Sequence, residues 1–144
     1  MSEGNASGAE GAPAPSGWRR FLARLLAPRP SPVLPVRVRD GNFTAEVLRS
    51  EIPVVVDVWS PGCGPCRMLE PVVMRLAARY QGRVKVVEVN AAEAPQTASR
   101  LGVMGTPTIL FFRRRREVER VVGFVGERYL AEIVDSELLG VASS

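Results

Sequence analysis

The chain of 144 residues has no histidine and only two cysteines, Cys63 and Cys66. Without an imidazole there is no Ser-His or Cys-His pairing of nucleophile and base, and no histidine-ligated metal. Two thiolates supply only half of a tetrahedral zinc site, and no histidine can complete it without a second chain. Nor does any apolar run approach the roughly 20 residues that cross a bilayer. Aromatic residues are sparse, at 6%, and 15 acidic side chains face 19 basic ones, nearly all arginine, for a net charge of +4. So mild a surplus suits acidic partners or lipid headgroups and is no indication of nucleic-acid binding. A stapling disulfide is also a poor fit, because the loop between the two cysteines is too short to restrict the unfolded chain.

What the chain does contain is enough apolar material, 46% of its residues, to bury one domain core. The first 35 residues differ from the rest. Ser2 to Gly17 is rich in Gly, Ala, Ser and Pro and is expected to be disordered. Pro28, Pro30, Pro32 and Pro35 read as a stiff, extended linker. Between these, Trp18, Phe21, Leu22, Leu25 and Leu26 recur at helical spacing while Arg19, Arg20 and Arg24 avoid that face, which predicts a short basic amphipathic helix near 18–26. It could pack on its own domain or fray, lie on an anionic membrane, or dock on a partner. An export leader fits least, since Arg24 interrupts an apolar region that is already short.

From Val36 the pattern is regular and predicts one α/β domain over 36–140. Val36 to Val38 is a short strand, and Asn42 to Arg49 a short helix with Asn42 or Thr44 as its cap. Val54 to Trp59 is apolar except at Asp57 and reads as a strand buried on both faces. Cys63 to Gln81 is a long helix that Pro71 should kink. Val84 to Val89 is a strand, Ala94 to Leu101 a helix stopped by Gly102, and Thr108–Phe112 and Val118–Val122 are two strands. Glu127 to Leu139 closes the chain as a helix. This alternation implies a layered fold with helices on both faces of the sheet. The Cys-x-x-Cys spacing sets two sulfurs one helical turn apart, near enough to bond to each other. A reactive pair is therefore the better explanation for them.

Several features occur together in order: Val56-Asp57-Val58-Trp59, then Cys63-Gly64-Pro65-Cys66-Arg67, Pro71, Gly105-Thr106-Pro107-Thr108 and Gly123. With this constellation the chain resembles the thioredoxin family from about Val36 to Leu139. The resemblance implies a thioredoxin fold, with a central mixed β-sheet flanked by helices on both faces. It further implies that Cys63, at a helix N-terminus where free N–H groups favour a thiolate, attacks, and that Cys66 resolves the mixed disulfide. Asp57 would be the buried base toward Cys66. Trp59, Gly64, Pro65, Thr106, Pro107 and Gly123 would form the substrate-docking face, with Pro107 cis and the Thr106 backbone free to pair with an extended substrate.

The family needs no bound cofactor beyond the redox-active Cys63–Cys66 disulfide. Its partners are disulfide-containing proteins and a thioredoxin-reductase-type electron donor, with no nucleic acid. Compared with the family's usual pattern, Gly62 replaces a second tryptophan and Glu88 replaces a lysine facing the buried aspartate. Glu88 should push the Asp57 pKa further up. Arg113 to Arg116 replaces a Lys-Asn-Gly-like turn, and arginine suits positive φ poorly, so a longer or different turn is expected.

The leading expectation is a protein-disulfide reductase in the cytoplasm, where a free dithiol persists and for which no convincing leader argues otherwise. Two alternatives stand beside it: a periplasmic or membrane-associated oxidase, isomerase or maturation factor, and a non-catalytic adaptor built on the same fold.

Overall fold

The computed structural model describes residues 16–28 and 32–141. Of the disorder expected over Ser2–Gly17, the part before residue 16 lies outside the described residues, as does the linker proline Pro30, while Ser16 and Gly17 are helical. The chain divides into two units, Met1–Ser31 and Pro32–Ser144. The first contains helix α1, Ser16–Leu26. The second holds five strands: β1 (Val36–Val38), β2 (Val54–Trp59), β3 (Lys85–Asn90), β4 (Thr108–Arg113) and β5 (Arg116–Val122). Its helices are α2 (Gly64–Arg79), α3 (Pro95–Arg100) and α4 (Glu127–Ile133).

The sheet order is β1-β3-β2-β4-β5. β1 and β2 lie parallel to β3, while β4 runs antiparallel to both β2 and β5. β2 therefore sits at the centre, which explains why its valines are buried on both sides. Strand alternation sends Val54, Val56 and Val58 into one core, together with Val87, Val89, Leu110 and Phe112. Val55 points the other way, into the core that α2 and α4 cover with Leu69, Val73, Leu76 and Leu130. By the same alternation Asp57 lies on the α2 side, where a valine would otherwise sit. At the far end of α2, the Tyr80 hydroxyl donates to Asp135 Oδ1 at 2.7 Å and ties that end to the C-terminal segment.

Several element ends differ from expectation. Asn42 caps no helix: its Oδ1 accepts from the Arg39 N–H at 2.6 Å and so closes a turn before the segment. The segment itself is a single π-helical turn, Thr44–Leu48, with no side-chain cap. The closing helix likewise passes from α4 into a π-helical turn, Val134–Leu138. Gly102 has φ 64, consistent with its ending α3.

The arginine turn is the clearest correction. No longer loop forms. Arg113 pairs with Arg116, leaving only Arg114 and Arg115 in the loop, with φ values of 50° and 70°. Positive φ at both central residues is the type I′ signature, matched to the twist of the strands it joins. Strand pairing on either side imposes that geometry on residues that disfavour it. Replacing the tip by Arg114→Asn with Arg115→Gly should stabilise the domain by about 1–2 kcal/mol. Urea unfolding would show a higher midpoint with unchanged slope, and an unmoved midpoint would mean the arginines carry no strain.

Candidate active site

Pro61 and Gly62 turn the chain from the end of β2 into α2, and Gly62 takes φ 74, a conformation that disfavours other residues. Cys63 follows as the N-cap, with extended backbone angles, so α2 begins one residue later than expected. Gly64 and Pro65 form the first turn. Both are exposed, and apart from its chain neighbours and its own helix backbone no atom comes within 4 Å of where a Gly64 side chain would start. Pro65 costs the helix little there, because the first N–H groups have no helical partner in any case.

The two cysteines are joined as a disulfide, with Cα atoms 5.3 Å apart. They are not equivalent. Cys63 is half-buried, whereas Cys66 is buried one turn into the helix. Cys63 Sγ accepts the Cys66 backbone N–H at 3.2 Å. That donor sits at the positive end of the helix dipole and would favour negative charge on Cys63 once the disulfide is reduced.

Opposite the sulfurs lies the turn before β4. The Thr106–Pro107 peptide is cis, Pro107 is buried, and the Thr106 carbonyl oxygen is 3.6 Å from Cys63 Sγ. β4 starts only at Thr108, so the Thr106 backbone lies outside the sheet ladder. The Gly123 N–H donates to the Pro107 carbonyl at 2.9 Å, and Gly123 itself has φ 94. One contact here has no counterpart in the sequence pattern. The Ser60 and Thr106 hydroxyls share a hydrogen bond of 2.6 Å, which links the loop leaving β2 to the loop entering β4.

Behind the disulfide is a cleft of about 380 Å³ lined by Asp57, Trp59, both cysteines and the charged side chains of Arg37, Arg67, Glu70 and Glu88. Asp57 is 7% exposed, and its Oδ1 is buried without a protein partner, as is Trp59 Nε1. Burial raises the Asp57 pKa to about 7, with the charges of Glu88 and then Glu70 adding to the rise. Glu88 stands directly beside Asp57 in the β2–β3 register. On its other side Arg37 occupies the matching β1 position and pairs with it at 3.5 Å. A row of three charges, Arg37, Glu88 and Asp57, thus crosses three strands toward the sulfurs.

Sequence reasoning does not single out Arg37 or Glu70. Glu70 is findable, four residues after Cys66 and so on the same helical face, but Arg37 is not. Glu88→Gln should lower the Asp57 pKa by up to roughly one unit by removing one neighbouring charge. Carbon-detected NMR titration of the carboxyl would measure it, and an unmoved midpoint would mean that the Glu88 charge does not reach Asp57.

The thioredoxin family model matches residues 35–136. The chain belongs to the thioredoxin family. It is 45% identical over 102 residues to Thioredoxin 1 of Nostoc sp., covering 71% of this chain and 95% of that protein. It is 48% identical over 101 residues to Thioredoxin 1 of Synechococcus elongatus, covering 70% and 94%. A chloroplastic M-type thioredoxin of Pisum sativum is 41% identical over 98 residues, covering 68% and 57%.

The mixed sheet flanked by helices is the thioredoxin fold, and the chain is a protein-disulfide reductase working by dithiol–disulfide exchange. Thioredoxins need no cofactor, since the electrons reside on the cysteine pair. Among the described residues no cluster of three metal-ligating side chains occurs, and no helix is long and apolar enough to cross a membrane. Family membership implies disulfide substrates and a reductase-type electron donor.

Proposed function

We propose the following division of labour. The Cys63 thiolate attacks one sulfur of a substrate disulfide, forming a mixed disulfide and releasing the other substrate sulfur as a thiolate. Cys66 passes its proton to the Asp57 carboxylate, through water in the cleft, and its thiolate attacks Cys63. The second substrate sulfur leaves and takes up a proton. The Cys63–Cys66 disulfide is then returned to the dithiol by a thioredoxin-reductase-type donor, which supplies two electrons and two protons. The substrate lies extended along the Thr106 backbone, flanked by Trp59, Gly64, Pro65, Pro107 and Gly123.

The observation that carries this reading is the asymmetry of the sulfurs. Cys63 is half-buried and accepts a helix N–H, whereas Cys66 is buried and lines the same cleft as Asp57, whose pKa is raised to about 7. Working as a reductant, the protein belongs in the cytoplasm, where disulfides are kept reduced. The Ser16–Leu26 helix is an attachment surface, for a membrane or a protein partner, separate from the redox chemistry.

Insulin reduction with a dithiol source, together with the reduction potential, tests the reading. Insulin should be reduced catalytically, and the potential should lie near about −270 mV; a value near about −120 mV would make the protein an oxidant instead.

A further inference from the structure

Helix α1 is the element that the redox chemistry leaves unused. The family match begins at residue 35, so the helix lies outside it, with Pro28, Pro30 and Pro32 in the stretch between. Its large apolar side chains are open to solvent: Trp18 is 55% exposed, Phe21 56%, Leu25 64% and Leu26 79%. An exposed apolar face needs a partner, and the charge around it indicates which one.

At 100° per residue, Phe21, Leu25, Trp18, Leu22 and Leu26 follow one another around an arc of about 140°. Arg19 borders that arc on the Leu26 side and Arg24 on the Phe21 side, with Arg20 beyond Arg24. The helix, SGWRRFLARLL, contains no acidic residue. Trp18, Phe21, Leu22 and Leu25 hold the i, i+3, i+4 and i+7 places that a groove-binding helix uses, and Leu26 widens that stripe toward Arg19. Here the arc is wide, both of its borders are positive, and no charge of the opposite sign is present to set a register.

That arrangement suits a plane of acyl chains edged by anionic headgroups, which the arginine stems reach by lying along the apolar layer. Eleven residues span only about 16 Å, half the roughly 30 Å of a hydrocarbon core. A helix of that length would lie in such a surface and could not cross it.

We propose that the Ser16–Leu26 helix holds this reductase against an anionic phospholipid surface. The inference refines the attachment role assigned to this helix above and stands apart from the chemistry of Cys63. Each arginine near such a surface contributes roughly fivefold in affinity, so the three together supply about a hundredfold. The rest comes from burial of the apolar arc. A single short helix with three charges binds reversibly and loosens as salt rises.

Sedimentation of the full chain with lipid vesicles tests this. The protein should pellet with vesicles of phosphatidylcholine mixed with phosphatidylglycerol, and about a hundredfold more weakly with phosphatidylcholine alone. Phe21→Glu with Leu25→Glu should abolish pelleting, and Arg19→Gln, Arg20→Gln and Arg24→Gln together should reduce it about a hundredfold. Both variants should reduce insulin at the wild-type rate in solution, which separates failure of the lipid contact from failure of the redox assignment.

Wild-type protein remaining in the supernatant with anionic vesicles would overturn the proposal and leave the face to a protein groove. Pelleting that survives the loss of the three helix arginines would also overturn it, since the Arg113–Arg116 turn would then be the anionic contact.

Discussion

Cys63→Ser is expected to reduce insulin turnover to the uncatalysed background, while Cys66→Ser stops the reaction one step later, as a covalent complex with the substrate. The first loss follows because a serine hydroxyl is not ionised at neutral pH and cannot displace a sulfur. The second follows from position. Cys66 is buried one turn inside α2, so it meets the substrate only through the mixed disulfide already formed on Cys63. Non-reducing gels of Cys66→Ser mixed with insulin should show the trapped species, and Cys63→Ser should show none. Turnover that survives Cys63→Ser, or a trap formed by that variant, would reverse the roles of the two sulfurs.

The second large effect concerns Asp57 and has two separable parts. Asp57→Asn should slow resolution by about a hundredfold at pH 7, because it removes the proposed general base for Cys66. The wild-type resolution rate should rise with pH through about 7 as Asp57 ionises, and the variant should lose that inflection. Stability should move in the opposite direction.

The folded-state pKa of Asp57 is raised from 3.8 to about 7, so between these values the folded protein binds more protons than the unfolded chain. Its stability from this group is therefore full below pH 4 and lost as pH rises to about 7, a loss on the order of 4 kcal/mol. Asp57→Asn removes the charge, and should stabilise the protein by about 2–4 kcal/mol at pH 8 with little effect at pH 4. Denaturant unfolding of both proteins at the two pH values measures this. Equal stabilisation at both would mean the carboxylate is not held above its ordinary range.

The parts of this molecule legible in its sequence are those set by local chemistry. The β2 valines announce a buried central strand because five apolar residues surround a single charge, and that charge is the one buried carboxylate among the described residues. Cys63 to Arg67 announces a helix start because proline and glycine occupy its first turn. Three features lay beyond such reasoning. The π-helical turns at Thr44–Leu48 and Val134–Leu138 differ from α-helix by one residue in their bonding pattern, which apolar spacing does not resolve. The Arg114–Arg115 tip runs against residue preference, because pairing of β4 with β5 sets its register from outside. The place of Arg37 at the head of the row that runs through Glu88 to Asp57 depends on β3 lying between β1 and β2, an order that no local pattern encodes.

The proposed chemistry requires Cys63 to be a thiolate at neutral pH, and its alkylation rate against pH, measured on the reduced protein, tests that most directly. Iodoacetamide should modify Cys63 far faster than Cys66, with a midpoint well below the value of about 8.5 for a free cysteine. A midpoint at that ordinary value, with Cys63 reacting no faster than a thiol in an unstructured peptide, would contradict it.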